Sequence, residues 1–307
     1  MHEGSRKAIA AAFLANLGIA IAKFVGFAIT GAASLLAEAL HSVADTGNQA
    51  LLFLGGARAR RRPTPEHPFG YGRERYFWAF VVALMLFSLG GLFAVYEGIE
   101  KLLHPHELES VAIALAVLGV AIVLEALSFR TAFVEASAVK GDESWWHFIR
   151  RSKSPELPVV LLEDTGALLG LVLAFVGISA ADVTGNPRWD AVGSIGIGIL
   201  LVVIAIVLAA EMKSLLIGES AAPQMEEAIR GAIVDGPEVR RIIHLRTLHL
   251  GPDELLVAAK IDVDSDSMPD LSRAIDATET RVRAAVPIAR VIYLEPDLFR
   301  SDAPVDR

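Results

Sequence analysis

Six apolar segments, each close to 20 residues long, constrain this chain more than any other feature of its sequence. The hydrocarbon core of a bilayer, about 30 Å thick, needs about 20 apolar residues for each helical crossing. With 53% hydrophobic residues, the chain belongs among membrane proteins rather than soluble ones. We predict an all-α six-helix membrane bundle, with spanning helices at residues 8–30, 32–57, 76–99, 111–129, 157–180 and 191–210.

The basic residues between these segments lie in alternate connections. Arginine and lysine concentrate before the first segment, between the second and third, and between the fourth and fifth. Under the positive-inside rule these connections face the cytoplasm, and both termini lie on that side. We therefore expect a multi-pass protein, embedded in lipid, of a bacterial inner membrane. The first segment is long enough to be retained as a span, so we expect no cleaved signal peptide.

The last hundred residues change from apolar to acidic. Residues 211–307 hold 18 acidic and 12 basic side chains, which argues against nucleic acid as a partner. Helical spacing in residues 223–234, a turn at residues 251–254 and strict alternation in residues 255–263 predict the order helix, strand, strand, helix, strand. We assign residues 1–212 to the membrane domain and residues 213–307 to a cytosolic α+β domain. Because this small domain would bury little core alone, we expect it to dimerise.

Two ionisable residues, His41 and Asp45, stand inside the second apolar segment. A spacing of four places their side chains on one helix face, one turn apart. A carboxylate near the bilayer centre costs about 2.5–3.5 kcal/mol on insertion scales, so such residues usually mark ion or proton paths. A neutral imidazole and a carboxylate one turn apart form half of a site for a divalent transition metal. The pattern therefore predicts a metal path through the membrane.

The fifth segment supplies the partner carboxylates Glu163 and Asp164. At a rise of about 1.5 Å per residue, their depth in the bilayer is compatible with that of Asp45. Adjacent helical residues diverge by about 100°, so we do not expect both side chains to face one site. Glu38, three residues before His41 on the same face, is a further candidate ligand or an entry carboxylate.

The remaining polar residues in the apolar segments have simpler interpretations. Lys23 is expected to neutralise a carboxylate or to reach the membrane interface, because an ammonium group repels a dication. We expect ordinary polar contacts between helices from Asn48, Gln49 and Glu125. The chain contains no cysteine, so a metal would be held by His, Asp, Glu, Asn or backbone oxygen.

In combination, residues 33–45 (ASLLAEALHSVAD) and residues 67–72 (HPFGYG) make the chain resemble the cation diffusion facilitators. Six spans with both ends inside and the helix-strand-strand-helix-strand tail fit the same family. The resemblance implies a homodimeric exporter of zinc or a related divalent cation, which is exchanged for protons by alternating access. The metal would then be a substrate, with no bound cofactor. The resemblance also implies a ferredoxin-like cytosolic tail through which two copies dimerise.

The resemblance implies that the metal ligands in the membrane are His41, Asp45 and Asp164. The family usually has His or Asp four residues before the last of these, and here that position is Val160. Glu163 or Glu38 would substitute for the missing ligand. One imidazole among carboxylates is a hard set of donors, which leaves manganese or iron(II) as alternatives to zinc.

A second metal site of the family lies in the connection between the second and third spans. The resemblance places a ligand there at His67, although Tyr71 stands where the family usually has another histidine. The alternative is a turn that holds Pro68, Phe69 and Gly70 against the membrane.

Two other classes of function remain open at the level of sequence. A membrane-anchored metal sensor would use the bundle only as an anchor, and its buried charges would pair with one another. An intramembrane hydrolase would use His41, Asp45 and Asp164 to hold a catalytic metal and its water. No G-x-S-x-G nucleophile motif is present, and we expect a transporter and not an enzyme.

Overall fold

The structure, a computed structural model, describes residues 3–108, 110–265 and 267–300, and for residues 3–16 it describes the backbone alone. It contains two compact units, residues 1–56 with 76–213 and residues 57–75 with 214–307. The first unit ends at residue 213, and the domain boundary after residue 212 stays a prediction. Residues 57–75, which we assigned to the membrane domain, group with the C-terminal unit. The final residues, 301–307, predicted to be cytoplasmic, lie outside the described part of the chain.

Helices occupy every segment that we predict to be apolar and spanning. In chain order they are α1 (Glu3–Thr30), α2 (Ala33–Ala59), α3 (Glu74–Met85), a π-helical segment (Leu86–Leu92), α4 (Phe93–Leu103), α5 (Val111–Lys140), α6 (Trp145–Arg151), α7 (Glu156–Thr184) and α8 (Arg188–Ile217). Among the residues that the structure describes, four helical stretches are long and apolar enough to cross a membrane: Glu74–Leu103, α5, α7 and α8. The apolar part of α1 that the structure describes, Leu17–Thr30, is shorter. The chain is therefore a multi-pass membrane protein.

Glycines bring the π-helical segment and α4 into backbone contact with α8. A Cβ on Gly198 would lie 2.7 Å from the carbonyl oxygen of Gly91, and one on Gly98 would lie 2.9 Å from that of Ala191. Larger side chains at these positions would force the helices apart. Small residues are the usual basis of close helix packing in lipid, where no hydrophobic effect drives helices together.

The π-helical segment Leu86–Leu92 joins α3 to α4 within one continuous membrane-length stretch. Such segments are rare and often lie at functional sites. This segment lies next to His41: a Cβ on Gly90 would be 3.9 Å from Nδ1 of the imidazole. The irregular turn therefore forms part of the wall around that residue.

Asp190, in the first turn of α8, ties three helices together. Its carboxylate accepts hydrogen bonds from the backbone N–H groups of Ala33 (2.8 Å) and Ser34 (3.2 Å) and from the Ser34 hydroxyl, which caps the start of α2. Lys101 of α4 lies 2.9 Å from Asp190 Oδ2 and also donates to the carbonyl oxygen of Gly31. Asp190 is fully buried, so this ion pair is shielded from water.

The substitution Asp190→Asn is expected to destabilise the membrane unit. It leaves Lys101 buried without its counter-charge and weakens the cap of α2, and breaking a buried pair from one side costs about 3–5 kcal/mol. The measurement is the thermal unfolding midpoint of the purified protein in detergent. The matched control is Asp182→Asn, at an exposed acidic residue of α7, and should show no loss. Equal midpoints for the two variants would contradict a structural role for the pair.

The C-terminal unit has the predicted order of elements. It comprises α9 (Pro223–Val234), β1 (Val239–Gly251), β2 (Glu254–Val263), α10 (Met268–Ala285) and β3 (Ala289–Pro296). The sheet order is β1-β2-β3, with β1 and β2 antiparallel and β2 and β3 parallel. Leu255, Val257, Ala259 and Ile261 of β2 lie in its core, as their alternation predicts.

The connection between α2 and α3 packs against the tip of the β1–β2 hairpin within this unit. A Cβ on Gly72 would lie 2.7 Å from the carbonyl oxygen of Leu250 and 3.1 Å from Cα of Gly251, so the two backbones touch where both residues lack a side chain. Arg75 forms an ion pair with Asp253 in the turn, with 2.7 Å between Nη1 and Oδ2.

We expect Gly72→Ala to detach this connection from the hairpin. An added methyl group in a close-packed contact costs about 1–3 kcal/mol. Hydrogen–deuterium exchange should therefore increase in residues 57–75 and at the hairpin tip. Gly231→Ala serves as the control: Gly231 lies in α9 with open space around it, and alanine there should stabilise the helix by about 1 kcal/mol. Unchanged exchange in the Gly72 variant would show that the contact is not tight.

Candidate metal site

His41 and Asp45 meet on one face of α2, as their spacing predicts. The distance from His41 Nε2 to Asp45 Oδ2 is 3.5 Å. The imidazole is fully buried, and neither ring nitrogen has a hydrogen-bond partner among the described residues. Leaving a buried polar group without a partner costs about 1–3 kcal/mol. An imidazole in this state is well suited to bind a ligand.

The side chain of Asp45 lines a cavity of about 30 Å³ that lies between α1, α2, α5 and α7. It is large enough for a water molecule or a bare metal ion and too small for a peptide or lipid. Its lining consists of Ile19, Ser42, Asp45, Gln49, Glu125, Ser128, Val160, Glu163 and Asp164. Most of the polar donors are carboxylates, which suit divalent cations.

Glu163 and Asp164 both line this cavity, contrary to our expectation that only one would do so. The reason is that the cavity extends from the side of α7 that faces α2 to the side that faces α5, so side chains that diverge by about 100° on α7 can both reach it. Glu163 Oε1 accepts a hydrogen bond of 2.5 Å from Asn48 Nδ2 of α2, whereas Asp164 Oδ2 accepts one of 3.3 Å from Ser128 Oγ of α5. The angle between adjacent helical residues directs one carboxylate to each neighbour.

Val160 lines the cavity one turn before Asp164 and contributes no donor atom. Within the described residues, no three His, Asp or Glu side chains converge as they would around a bound metal ion. The candidate donors therefore share one cavity while several of them are held by neighbouring side chains. Binding a cation would require these side chains to turn toward one another.

Glu38 is engaged by Lys23 and is not among the residues that line the cavity. Lys23 Nζ lies 3.0 Å from Glu38 Oε2 and 2.8 Å from Ser42 Oγ, and both charged side chains are fully buried. Gly170 of α7 provides the space, because a Cβ there would clash with the Glu38 carboxylate. Lys23 thus neutralises a carboxylate, as we predicted, and this contact does not favour Glu38 as a metal ligand.

His67 belongs to the C-terminal unit and is not among the residues that line the cavity. It is exposed in the connection between α2 and α3, and its ring packs edge-on against Tyr71, with 4.7 Å between the ring centroids. Its backbone forms a turn with Thr64, with hydrogen bonds of 3.0 and 3.2 Å. These contacts are typical of a structural turn, and a metal site at His67 stays a prediction.

Glu125 and Ser128 of α5 line the cavity, and our sequence analysis did not place either residue there. We expected Glu125 to make an ordinary polar contact between helices. The signal that could have identified it is its position, since it lies near the middle of a 30-residue apolar helix. The rule that intramembrane carboxylates mark ion paths applies to it as well as to Asp45.

The Lys23–Glu38 pair can be tested with a double-mutant cycle. Lys23→Met leaves the buried Glu38 carboxylate without its partner and should cost about 3–5 kcal/mol of stability. Adding Glu38→Gln removes the buried charge and should recover most of that loss. Unfolding midpoints in detergent give both values, with the exposed Lys213→Met as the control. Additive effects of the two substitutions would contradict the pairing.

Comparisons with known proteins agree with this architecture. The chain matches the model of the cation efflux transmembrane domain over residues 9–217. It is 34% identical over 244 residues to the mitochondrial proton-coupled zinc antiporter SLC30A9 of Mus musculus, covering 79% of this chain and 43% of the relative. It is 30% identical over 260 residues to metal tolerance protein C4 of Arabidopsis thaliana, covering 84% and 57%.

A third relative matches over nearly its full length. The chain is 27% identical over 286 residues to magnetosome protein MamB of Magnetospira sp. (strain QH-2), covering 92% of each. By contrast, the chain spans less than half the length of the zinc antiporters that it matches. The matched residues 9–217 run from α1 to the end of α8 and include every cavity residue described above.

Proposed function

The chain belongs to the cation efflux family, and on that premise we propose that it exports a divalent metal cation, with zinc as the first candidate, in exchange for protons. The observation that carries the proposal is the cavity beside His41. A fully buried imidazole, with no hydrogen-bond partner in the part of the chain that the structure describes, stands next to Asp45, and Asp45 shares a small cavity with Glu163 and Asp164. This arrangement offers one nitrogen and several oxygen donors to a cation within the membrane.

The proposed mechanism follows from the protonation states that such donors need. A cation binds a neutral imidazole and ionised carboxylates, so its binding releases protons. When the site opens to a more acidic compartment, protons return to His41, Asp45 or Asp164 and the affinity for the metal falls. Reorientation of the protonated site carries protons inward, so metal leaves as protons enter.

The identity of the metal depends on the donors. A single imidazole among carboxylates is harder than a site with two histidines, and carboxylate oxygens suit manganese and iron(II) better than nitrogen-rich sites do. The name of one group of relatives specifies zinc, and that of another specifies only metal tolerance. Zinc is therefore the first candidate, with a manganese or iron(II) exporter of the same mechanism as the alternative.

The proposal includes a specific topology. We propose six spans, comprising α1, α2, the stretch Glu74–Leu103, α5, α7 and α8, with both termini in the cytoplasm of a bacterium and the bundle in its inner membrane. The C-terminal unit would be the ferredoxin-like domain through which two copies dimerise. Its small core, built from two helices and three strands, supports a need for a partner.

The rival functions make different demands on the cavity. A volume of about 30 Å³ leaves no room for the peptide or lipid that an intramembrane hydrolase would cleave. A sensor that used the bundle only as an anchor would pair its buried charges, as Lys23 pairs with Glu38, and it would produce no flux. Transport measurements separate these possibilities.

The test is metal-driven proton flux in proteoliposomes with an imposed pH gradient. His41→Ala, Asp45→Ala and Asp164→Ala should each abolish flux because each removes a donor to the cation, while Asp182→Asn should transport normally. Competition among zinc, manganese, iron(II), cobalt and cadmium identifies the preferred substrate. Full transport by the Asp45→Ala variant would overturn the site, and no metal flux in the unmodified protein would overturn the function.

A further inference from the structure

Glu125 is a carboxylate in an unusual place. It lies near the centre of α5, whose 30 residues form a membrane-length apolar helix. The neighbouring side chains of Val123, Leu124 and Leu127 are exposed, as expected for a helix that faces lipid, whereas Glu125 is half-buried and turns toward the cavity. A charged side chain at this depth is costly.

Other buried carboxylates in the membrane unit have a lysine partner at contact distance. Glu38 pairs with Lys23 at 3.0 Å, and Asp190 pairs with Lys101 at 2.9 Å. The cavity brings together four carboxylates, those of Asp45, Glu125, Glu163 and Asp164, and its lining includes neither lysine nor arginine.

Lys23 is the cation next to the cavity among the side chains that the structure describes. Its Nζ lies 2.8 Å from Ser42 Oγ at the cavity wall, and its direct ion pair is with Glu38. The four carboxylates that line the cavity are crowded together, and a divalent cation would be their counter-charge.

His41 gives independent evidence for a ligand at this place. It is fully buried, neither ring nitrogen has a hydrogen-bond partner among the described residues, and Nε2 lies 3.5 Å from Asp45 Oδ2. Asp45 Oδ1 is also buried without a hydrogen-bond partner. His41 is not itself among the residues that line the cavity, but it contacts Asp45, which is, so an imidazole and a carboxylate with unused bonding capacity stand at the wall of the cavity that Glu125 lines.

We propose that Glu125 is a ligand of the transported cation, contributed by α5 to a site otherwise built from α2 and α7. It would supply the donor that Val160, one turn before Asp164, does not provide. Ser128, one turn after Glu125, donates to Asp164 Oδ2 at 3.3 Å and so holds this face of α5 against α7. The inference rests on the proposed transport function and assigns to it a third helix.

A ligand role and a structural role for Glu125 predict opposite effects on stability. In metal-free protein, Glu125→Gln removes one of four crowded carboxylates from a site of low polarity, so the unfolding midpoint should rise. The same change should lower the affinity for metal, because an amide oxygen is a weaker donor than a carboxylate. A residue that only supports packing would lower the midpoint when replaced.

The experiment compares the unmodified protein, Glu125→Gln and Glu135→Gln. Glu135 lies on the same helix and loses the same charge, but it is exposed and outside the cavity. Two quantities are measured for each protein. The first is the flux of zinc and of manganese into proteoliposomes, and the second is the shift in unfolding midpoint that each metal produces in detergent. Glu125→Gln should reduce flux at low metal concentration by about 10-fold or more, with a higher metal-free midpoint and a smaller metal-induced shift. Glu135→Gln should behave like the unmodified protein.

The outcomes separate this inference from the function on which it rests. Normal transport and a normal metal-induced shift in Glu125→Gln would overturn the ligand role while leaving the transporter intact. A lower metal-free midpoint in that variant would also overturn it, in favour of a packing role. An unmodified protein that neither binds nor moves either metal would overturn the proposed function itself.

Discussion

Charge inside a bilayer must be compensated, and this constraint organises the membrane unit. Two compensations come from within the protein, since Lys23 neutralises Glu38 and Lys101 neutralises Asp190. The third group, the carboxylates around the cavity, has no basic residue beside it among the described lining residues. The protein therefore pairs the charges that hold helices in place, and it leaves a group of carboxylates at the place where we propose that a cation binds.

The compensated charges also determine how firmly α2 is held. Its first turn is capped by Asp190, its middle is fixed by Lys23 through Glu38 and Ser42, and Asn48 donates to Glu163 of α7. His41 and Asp45 lie between these attachments. Each attachment comes from a different helix, so the orientation of the two residues reflects the packing of the whole unit.

Local patterns in the sequence predicted most elements of both units, but not the π-helical segment or α6. Runs of apolar residues located the membrane helices, and the alternation in β2 predicted which of its residues lie in the core. The pairing of His41 with Asp45 also followed from spacing alone, because residues four apart on a helix are neighbours. These features depend on residues that are close together in the chain.

The features that could not be predicted depend on how distant helices are rotated. The contact between Asp190 and the start of α2 joins residues 157 positions apart, and no local pattern indicates it. Glu125 and Ser128 face the cavity only because of the rotation of α5, whose nearly uniform hydrophobicity does not reveal an inner face. The association of residues 57–75 with the C-terminal unit likewise involves contacts between distant residues, such as Gly72 with Gly251 and Arg75 with Asp253.

The π-helical segment Leu86–Leu92 affects where a residue can be inserted or deleted without rotating the helices on either side. A wider turn holds one more residue than an α-helical turn, and each residue of an α-helix turns the chain by about 100°. Deleting a single residue here would convert the segment to regular α-helix and leave α3 and α4 nearly in phase, because the wider turn already accommodates that residue. A deletion elsewhere in the stretch Glu74–Leu103 would instead rotate the faces beyond it by about 100°. Comparisons of related chains should therefore allow a one-residue gap within Leu86–Leu92 more readily than within the regular helix on either side.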